Sequence, residues 1–138
     1  MAFAEPYAVT TILGSCVALC LHDHQARVGG VNHYLLPLQL GRRDAPRYGS
    51  AAIPMLIDKL LALGARRDRL VAKVFGGACV MSGGDEQRRT HLGAQNTEVA
   101  FRLLAEEGIP VTAEDVHGNR GRKVVFHTDD GSAWVKRL

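Results

Sequence analysis

The stretch Gly14-Ser15-Cys16-Val17-Ala18-Leu19-Cys20-Leu21-His22-Asp23-His24-Gln25-Ala26-Arg27-Val28-Gly29-Gly30-Val31-Asn32-His33-Tyr34-Leu35-Leu36-Pro37 decides the fold. Val17 to His22 is a short, mostly apolar run behind a glycine turn, too brief for a helix and suited to a buried strand. Asp23-His24-Gln25 makes a polar turn. Arg27 to Leu36 resumes a strand pattern and stops at Pro37, which cannot donate to a sheet ladder. Two successive strands joined by so short a turn form an antiparallel hairpin. Such a hairpin sets His33 at the far end of its strand from the turn, near the level of Cys16.

That placement has chemical content. An imidazole beside a thiol can take the thiol proton and return it to a leaving group, the minimum equipment for attack on a carbonyl carbon. The chain therefore reads as a cysteine hydrolase. Gly14 permits a turn that leaves Cys16 exposed, and free N–H groups at that turn would serve as an oxyanion hole. Thr10 and Thr11 precede the turn, and either can hold the second imidazole nitrogen; spacing does not choose between them. Cys20 lies four residues along the same strand face, about 13 Å from Cys16 at the rise of a strand. An extended segment thus rules out a single zinc ion shared by Cys16, Cys20, His22 and His24, since each sulfur must lie about 2.3 Å from it. Cys79 is a second candidate thiol, with His91 as its only prospective base, and a packing role is expected for it.

Beyond the hairpin, Gln39 to Tyr48 reads as a polar loop beside the site, carrying Arg42, Arg43 and Arg47. Ser50 offers an N-cap for a helix through Leu63, whose Ile53, Leu56, Ile57, Leu60 and Leu61 form one apolar stripe. Leu70 to Phe75 is another buried strand, ending in Gly76-Gly77. Ser82 to Arg89 is expected to be a loop, and Asn96 or Thr97 to open a second helix bearing Val99, Ala100, Leu103 and Leu104. Ile109 to Val116, Arg122 to His127 and Ser132 to Leu138 alternate as strands, the last two joined around Asp130-Gly131. Strands follow strands at both ends of the chain, which predicts a mixed α/β sandwich, a β core flanked by helices, rather than a doubly wound parallel sheet.

At 138 residues the chain is expected to form one domain, 1–138, and to bury about two thirds of its unfolded surface. Three cysteines without a CxxC pair, and no long apolar run or signal pattern, favour a reducing, cytoplasmic address and no membrane insertion. The charge of +3 is spread over clusters at Arg66, Arg67 and Arg69, at Arg88 and Arg89, and at Arg120, Arg122 and Lys123. These are broken by acids and lack interleaved aromatics, so nucleic acid is not an expected partner, and they read as solvated faces.

Thr10-Thr11-Ile12-Leu13-Gly14-Ser15-Cys16-Val17-Ala18-Leu19-Cys20, followed by Gly29-Gly30-Val31-Asn32-His33-Tyr34-Leu35-Leu36-Pro37, closely resembles the CheD family of chemoreceptor glutamine deamidases. Further matches run in order: Ala72-Lys73-Val74-Phe75-Gly76-Gly77-Ala78, Gly93 with Asn96, Glu107-Gly108-Ile109-Pro110, Ala113-Glu114-Asp115-Val116, Gly121-Arg122-Lys123-Val124 and Val135-Lys136-Arg137-Leu138. The resemblance implies a cysteine hydrolase that converts receptor glutamines to glutamate with release of ammonia and needs no cofactor or metal. It implies Cys16 as nucleophile, His33 as general base and acid, and Thr10 as the third catalytic position. Gly14, Ser15 and Asn32 are expected to bound the substrate, with Arg42 and Arg43 steering an acidic receptor helix. The family fold is an α/β sandwich resembling the catalytic domain of deamidating toxins. Expected partners are methyl-accepting chemotaxis receptors and a CheC-type phosphatase; the rival expectation is an adaptor that binds both with its deamidase activity incidental or lost. The chain departs from the family pattern in its short lead, so that Met1 to Ala8 is expected to be truncated or poorly ordered. It departs also at Gln95, where arginine is common, and at His117, where glycine is.

Overall fold

Val17–Asp23 is buried along its whole length, which is why its sequence is apolar on both faces rather than alternating. It is the centre of the molecule. The computed structural model describes residues 1–35, 49–79 and 86–138, and for 86–91 the backbone alone. In chain order the described elements are β1 (Ala2–Phe3), β2 (Ala8–Leu13), β3 (Val17–Asp23), β4 (Val28–Tyr34), α1 (Gly49–Ala62), a 3-10 turn (Arg67–Arg69) and β5 (Leu70–Gly76). They continue with α2 (Glu86–Glu107), β6 (Val111–Val116), β7 (Arg122–His127) and β8 (Ala133–Arg137).

The strands form one sheet of five in the order β1-β4-β3-β5-β6 and one of three in the order β2-β7-β8. All neighbours are antiparallel except β5 and β6, which run parallel as the ends of a crossover through α2. On one face of the large sheet Val17, Leu19 and Leu21 pack with Ile53, Leu56, Ile57 and Leu60 of α1 and Val99, Ala100 and Leu104 of α2. On the other face Ala18 and Cys20 meet Leu13, Val124 and Phe126 of the small sheet. The result is three layers, helices on sheet on sheet, as the strand pattern implies.

The hairpin is closed by Asp23. Its Oδ1 accepts the N–H groups of Gln25 and Ala26, both at 3.0 Å. Its Oδ2 accepts the Arg66 N–H at 2.8 Å and Arg69 Nε at 3.0 Å. Burial alone would push this carboxyl up, but the backbone N–H groups of Ala26 and Arg66, with the Arg69 guanidinium, hold it below the usual carboxylate value.

Most element ends fall within a residue or two of the sequence expectation, with Ser50 inside α1 rather than capping it; the start of the second helix and the course of the first eight residues differ more. The second helix starts at Glu86, well before Asn96 and Thr97. Both are helix-interior, and their capping chemistry is spent elsewhere: Thr97 Oγ1 donates to the Ala94 carbonyl at 2.9 Å and meets His117 Nε2 at 2.8 Å. The loop expected at Ser82 to Arg89 is therefore helical from Glu86 on. Likewise, the first eight residues are built into the fold. β1 pairs with Gly29 and Gly30, Val31 N–H donates to Met1 O at 2.8 Å, and Tyr7 N–H donates to Thr128 Oγ1 at 2.8 Å. β2 is a strand that the sequence pattern does not announce.

Candidate active site

The β3–β4 ladder pairs Val17 with Tyr34 and Ala18 with His33. Cys16 stands one residue before that ladder, so strand alternation puts it on the same face as Ala18, and cross-strand partners share a face. Cys16 and His33 therefore lie diagonally on the side of the large sheet that looks toward β2, β7 and β8. Cys16 is half-buried and His33 exposed.

β2 supplies the next residue. Its inward positions are Val9, Thr11 and Leu13, whereas Thr10 and Ile12 face outward, Ile12 with 64 % of its surface exposed. Thr11 Oγ1 lies 3.0 Å from His33 Nδ1. The geometry thus brings Thr11 rather than Thr10 to the imidazole.

The turn carrying Cys16 is held from outside itself. Ala78 N–H donates to Gly14 O at 3.0 Å, Gly77 N–H to Cys16 O at 2.9 Å, and Asn96 Nδ2 to Ser15 O at 3.0 Å. Gly76 has φ +112°, and a Cβ there would stand 2.1 Å from Cys16 O, so both backbone angle and clearance demand glycine. Gly93 lets α2 close on the same turn, since a Cβ there would lie 2.5 Å from Gly77 O. Asn96, fully buried, also donates from Nδ2 to Leu35 O at 3.0 Å, while its own carbonyl accepts the Tyr34 hydroxyl. Arg122, only 2 % exposed, is not on a solvated face: Nη1 donates to Gly76 O at 2.9 Å and to Asp115 O, and Nη2 to His117 O. Arg66 and Arg67 are exposed, as expected, and Arg69 is drawn in by Asp23.

Burial pushes the Cys16 thiol above its ordinary value, opposed in part by its own backbone N–H, and burial pulls His33 below its ordinary value. Both shifts favour neutral forms, so the resting pair is thiol and imidazole rather than thiolate and imidazolium. Cys20, buried against the small sheet, is pushed up to about 12. Cys16 and Cys20 are not joined in a disulfide. Among the described residues no group of three or more metal-ligating side chains comes together.

Asn32 lies on the opposite face of β4 from His33, and its amide atoms are buried and make no hydrogen bond among the described residues. A cleft of about 350 Å³ passes along this strand, lined by Thr11, Asn32, His33, Met55 and Lys59 among others. Cys16 is not part of its lining. Gly14 and Ser15 stand with Cys16 in the turn, whereas Arg42, Arg43 and Arg47 lie outside the described residues. So does the side chain of His91, the base considered for Cys79. Sequence reasoning had not assigned Asn96, Gly76 or Arg122 to the site. The signals that point to them are the Gly76-Gly77 pair behind an apolar strand and the family matches at Asn96 and in Gly121-Arg122-Lys123-Val124.

Residues 35–137 match the family described as CheD chemotactic sensory transduction. The chain is 55 % identical over 135 residues to a protein of Anaeromyxobacter dehalogenans named "Probable chemoreceptor glutamine deamidase CheD 1", covering 98 % of this chain and 78 % of that one. A protein of the same name from Burkholderia thailandensis is 44 % identical over 139 residues, covering 97 % of this chain and 58 % of its own length. One from Burkholderia orbicola, named "Probable chemoreceptor glutamine deamidase CheD", is 44 % identical over 140 residues, covering 98 % and 56 %. The chain thus spans little more than half the length of its Burkholderia relatives. The family match begins after His33, so the likeness over the Cys16 to His33 hairpin is carried by the relatives.

Proposed function

Because the chain belongs to the CheD family, we propose that it hydrolyses the side-chain amide of chemoreceptor glutamines to glutamate and ammonia, with Cys16 as nucleophile. The observation that carries this reading is the register that sets His33 on the Cys16 face with its Nδ1 on Thr11. An Nδ1–H donated to the Thr11 hydroxyl oxygen leaves the Nε2 lone pair as the base.

His33 takes the Cys16 proton as the sulfur attacks the carboxamide carbon, and the carbonyl π pair moves to oxygen. The imidazolium then protonates the amide nitrogen, the C–N bond breaks and ammonia leaves, giving a thioester on Cys16. Water, deprotonated by His33, attacks the thioester; the C–S bond breaks and the proton returns to sulfur. A resting neutral pair suits this cycle, because the proton passes to His33 as the sulfur attacks and no free thiolate has to persist. The reading sets the protein in the cytoplasm, where reducing conditions keep Cys16 a thiol, and treats 1–138 as one catalytic unit. Thr11 takes the third position that the family resemblance gives to Thr10. Arg42 and Arg43 remain its candidates for steering acidic substrate.

Ammonia release from a purified receptor cytoplasmic fragment tests it. Cys16→Ser is expected to lower the rate by about 10³-fold or more. Wild-type protein that binds the fragment, or a CheC-type phosphatase, yet releases no ammonia would make the chain an adaptor instead.

A further inference from the structure

We propose that Asn96 is the positioning residue of the oxyanion hole, turning the Cys16 N–H toward the reacting carbonyl by holding the Ser15 carbonyl from behind. The inference rests on the deamidase reading and assigns a role within it. Every peptide bond among the described residues is trans, so the Ser15 carbonyl and the Cys16 N–H point in opposite directions from one rigid plane. Asn96 Nδ2 fixes the carbonyl end of that plane at 3.0 Å. The N–H end is thereby directed away from α2, toward the opposite face of the sheet, the face on which Cys16 packs with Ala18 and Cys20. An N–H beside the attacking atom is where a tetrahedral oxyanion needs a donor, and a donor that does not have to move is worth most.

The same amide nitrogen does a second thing. Its other hydrogen goes to Leu35 O, two residues past His33, so one NH2 group ties the turn of the nucleophile to the end of the strand carrying the base. Serine or threonine could supply one hydrogen, and alanine or leucine none; a primary amide supplies two. The arrangement has a cost that packing alone would not select, because Asn96 Oδ1 is buried with no hydrogen-bond partner among the described residues. Asn96 has no surface exposed to a substrate, and α2 is anchored at this point independently by the Tyr34 hydroxyl on the Asn96 backbone carbonyl.

Three measurements test the assignment: receptor-fragment turnover, KM, and the rate at which iodoacetamide alkylates Cys16. Alkylation is a displacement at an sp³ carbon and develops no oxyanion. Asn96→Ala is expected to lower kcat by about 10²-fold, the effect of losing one oxyanion-hole donor, with KM and alkylation rate each within about threefold of wild type. Unchanged kcat in the folded variant, or kcat and alkylation falling together, would overturn the assignment, the latter by showing a merely structural role. Should Asn96→Ala fail to fold, Asn96→Asp decides: a protonated carboxyl still donates one hydrogen bond, so its kcat relative to wild type should rise as pH falls, and a flat ratio would refute the idea. Tyr34→Phe, which spares the amide, should keep kcat within about threefold, and a loss as large as that of Asn96→Ala would count against the amide. A wild-type protein without activity overturns the deamidase reading itself, whereas an active wild type matched by Asn96→Ala overturns only this inference.

Discussion

The two ends of the β3–β4 hairpin are built on opposite plans. At the closed end a fully buried carboxylate, Asp23, is surrounded by four donors, two of them within three residues of it in sequence. At the open end Cys16 and His33 are half-buried or exposed, and both are shifted toward neutrality by burial rather than toward charge by a partner. What fixes them comes from elsewhere: Thr11 in β2, the 76–78 turn and Asn96 in α2. A charge with all its hydrogen bonds made is stable and inert, whereas a nucleophile and base must retain unmade bonds to offer a substrate. On the proposed function, stability and reactivity are placed about one strand length apart.

If that division holds, substitutions at the open end should change turnover and those at the closed end should change stability. The largest effect is expected from His33→Ala, which should lower turnover by about 10²- to 10⁴-fold while leaving the melting temperature nearly unchanged; a large drop in melting temperature would show that His33 is structural. In the wild type the base form of His33 persists below the ordinary histidine range, because burial lowers it. The acid limb of kcat/KM should therefore fall at a lower pH than free histidine would give.

Asp23→Ala should be next, destabilising the fold by about 3 kcal/mol, since it strands the buried N–H groups of the turn and the Arg69 guanidinium. Chemical denaturation measures it, and per-molecule turnover of the folded fraction should be preserved. The sign of its pH dependence follows from a depressed native value. Stability from Asp23 is present above the unfolded carboxylate pKa, about 3.9, and is lost as pH falls through the lower folded value. The variant's stability curve should be flatter than the wild type's in that acid window, and parallel curves would break the comparison.

The smallest effect separates two adjacent threonines. Thr11→Ala should lower kcat by about tenfold, roughly one hydrogen bond to a group that becomes charged, whereas Thr10→Ala should leave it within about twofold. A reversed pair of results would place the functional face of β2 outward.

The same two ends show what could be read from the chain. The hairpin was legible, because an apolar run, a polar turn and a proline stop are local signals, and the antiparallel pairing of β3 and β4 follows from them. The choice of threonine was not, because Ile12 and Leu13 are both apolar, so alternation alone leaves open which of them, and hence which of Thr10 and Thr11, faces inward. The start of α2 was hidden for a related reason. Asn96 and Thr97 look like caps, and only a neighbouring turn in three dimensions explains buried polar side chains in mid-helix. Gly76 was visible as a glycine, but its demand, clearance for the Cys16 carbonyl, exists only once β3 and β5 are paired. Asn32 was visible as a neighbour of His33, and the period of a strand sends it to the other face.

The pairing of β2 with β7 has a further consequence in time. Tyr7, just before β2, is bonded to Thr128, just after β7, across 121 positions of the chain. Closing so long a loop is slow compared with forming the hairpin beside it. As the chain leaves the ribosome, Cys16 and His33 emerge before β7 and can pair locally, but Thr11 has no ladder to lie on until β7 has been translated. The thiol and imidazole can therefore meet before anything holds the imidazole, and Thr11 joins them only once β7 is in place.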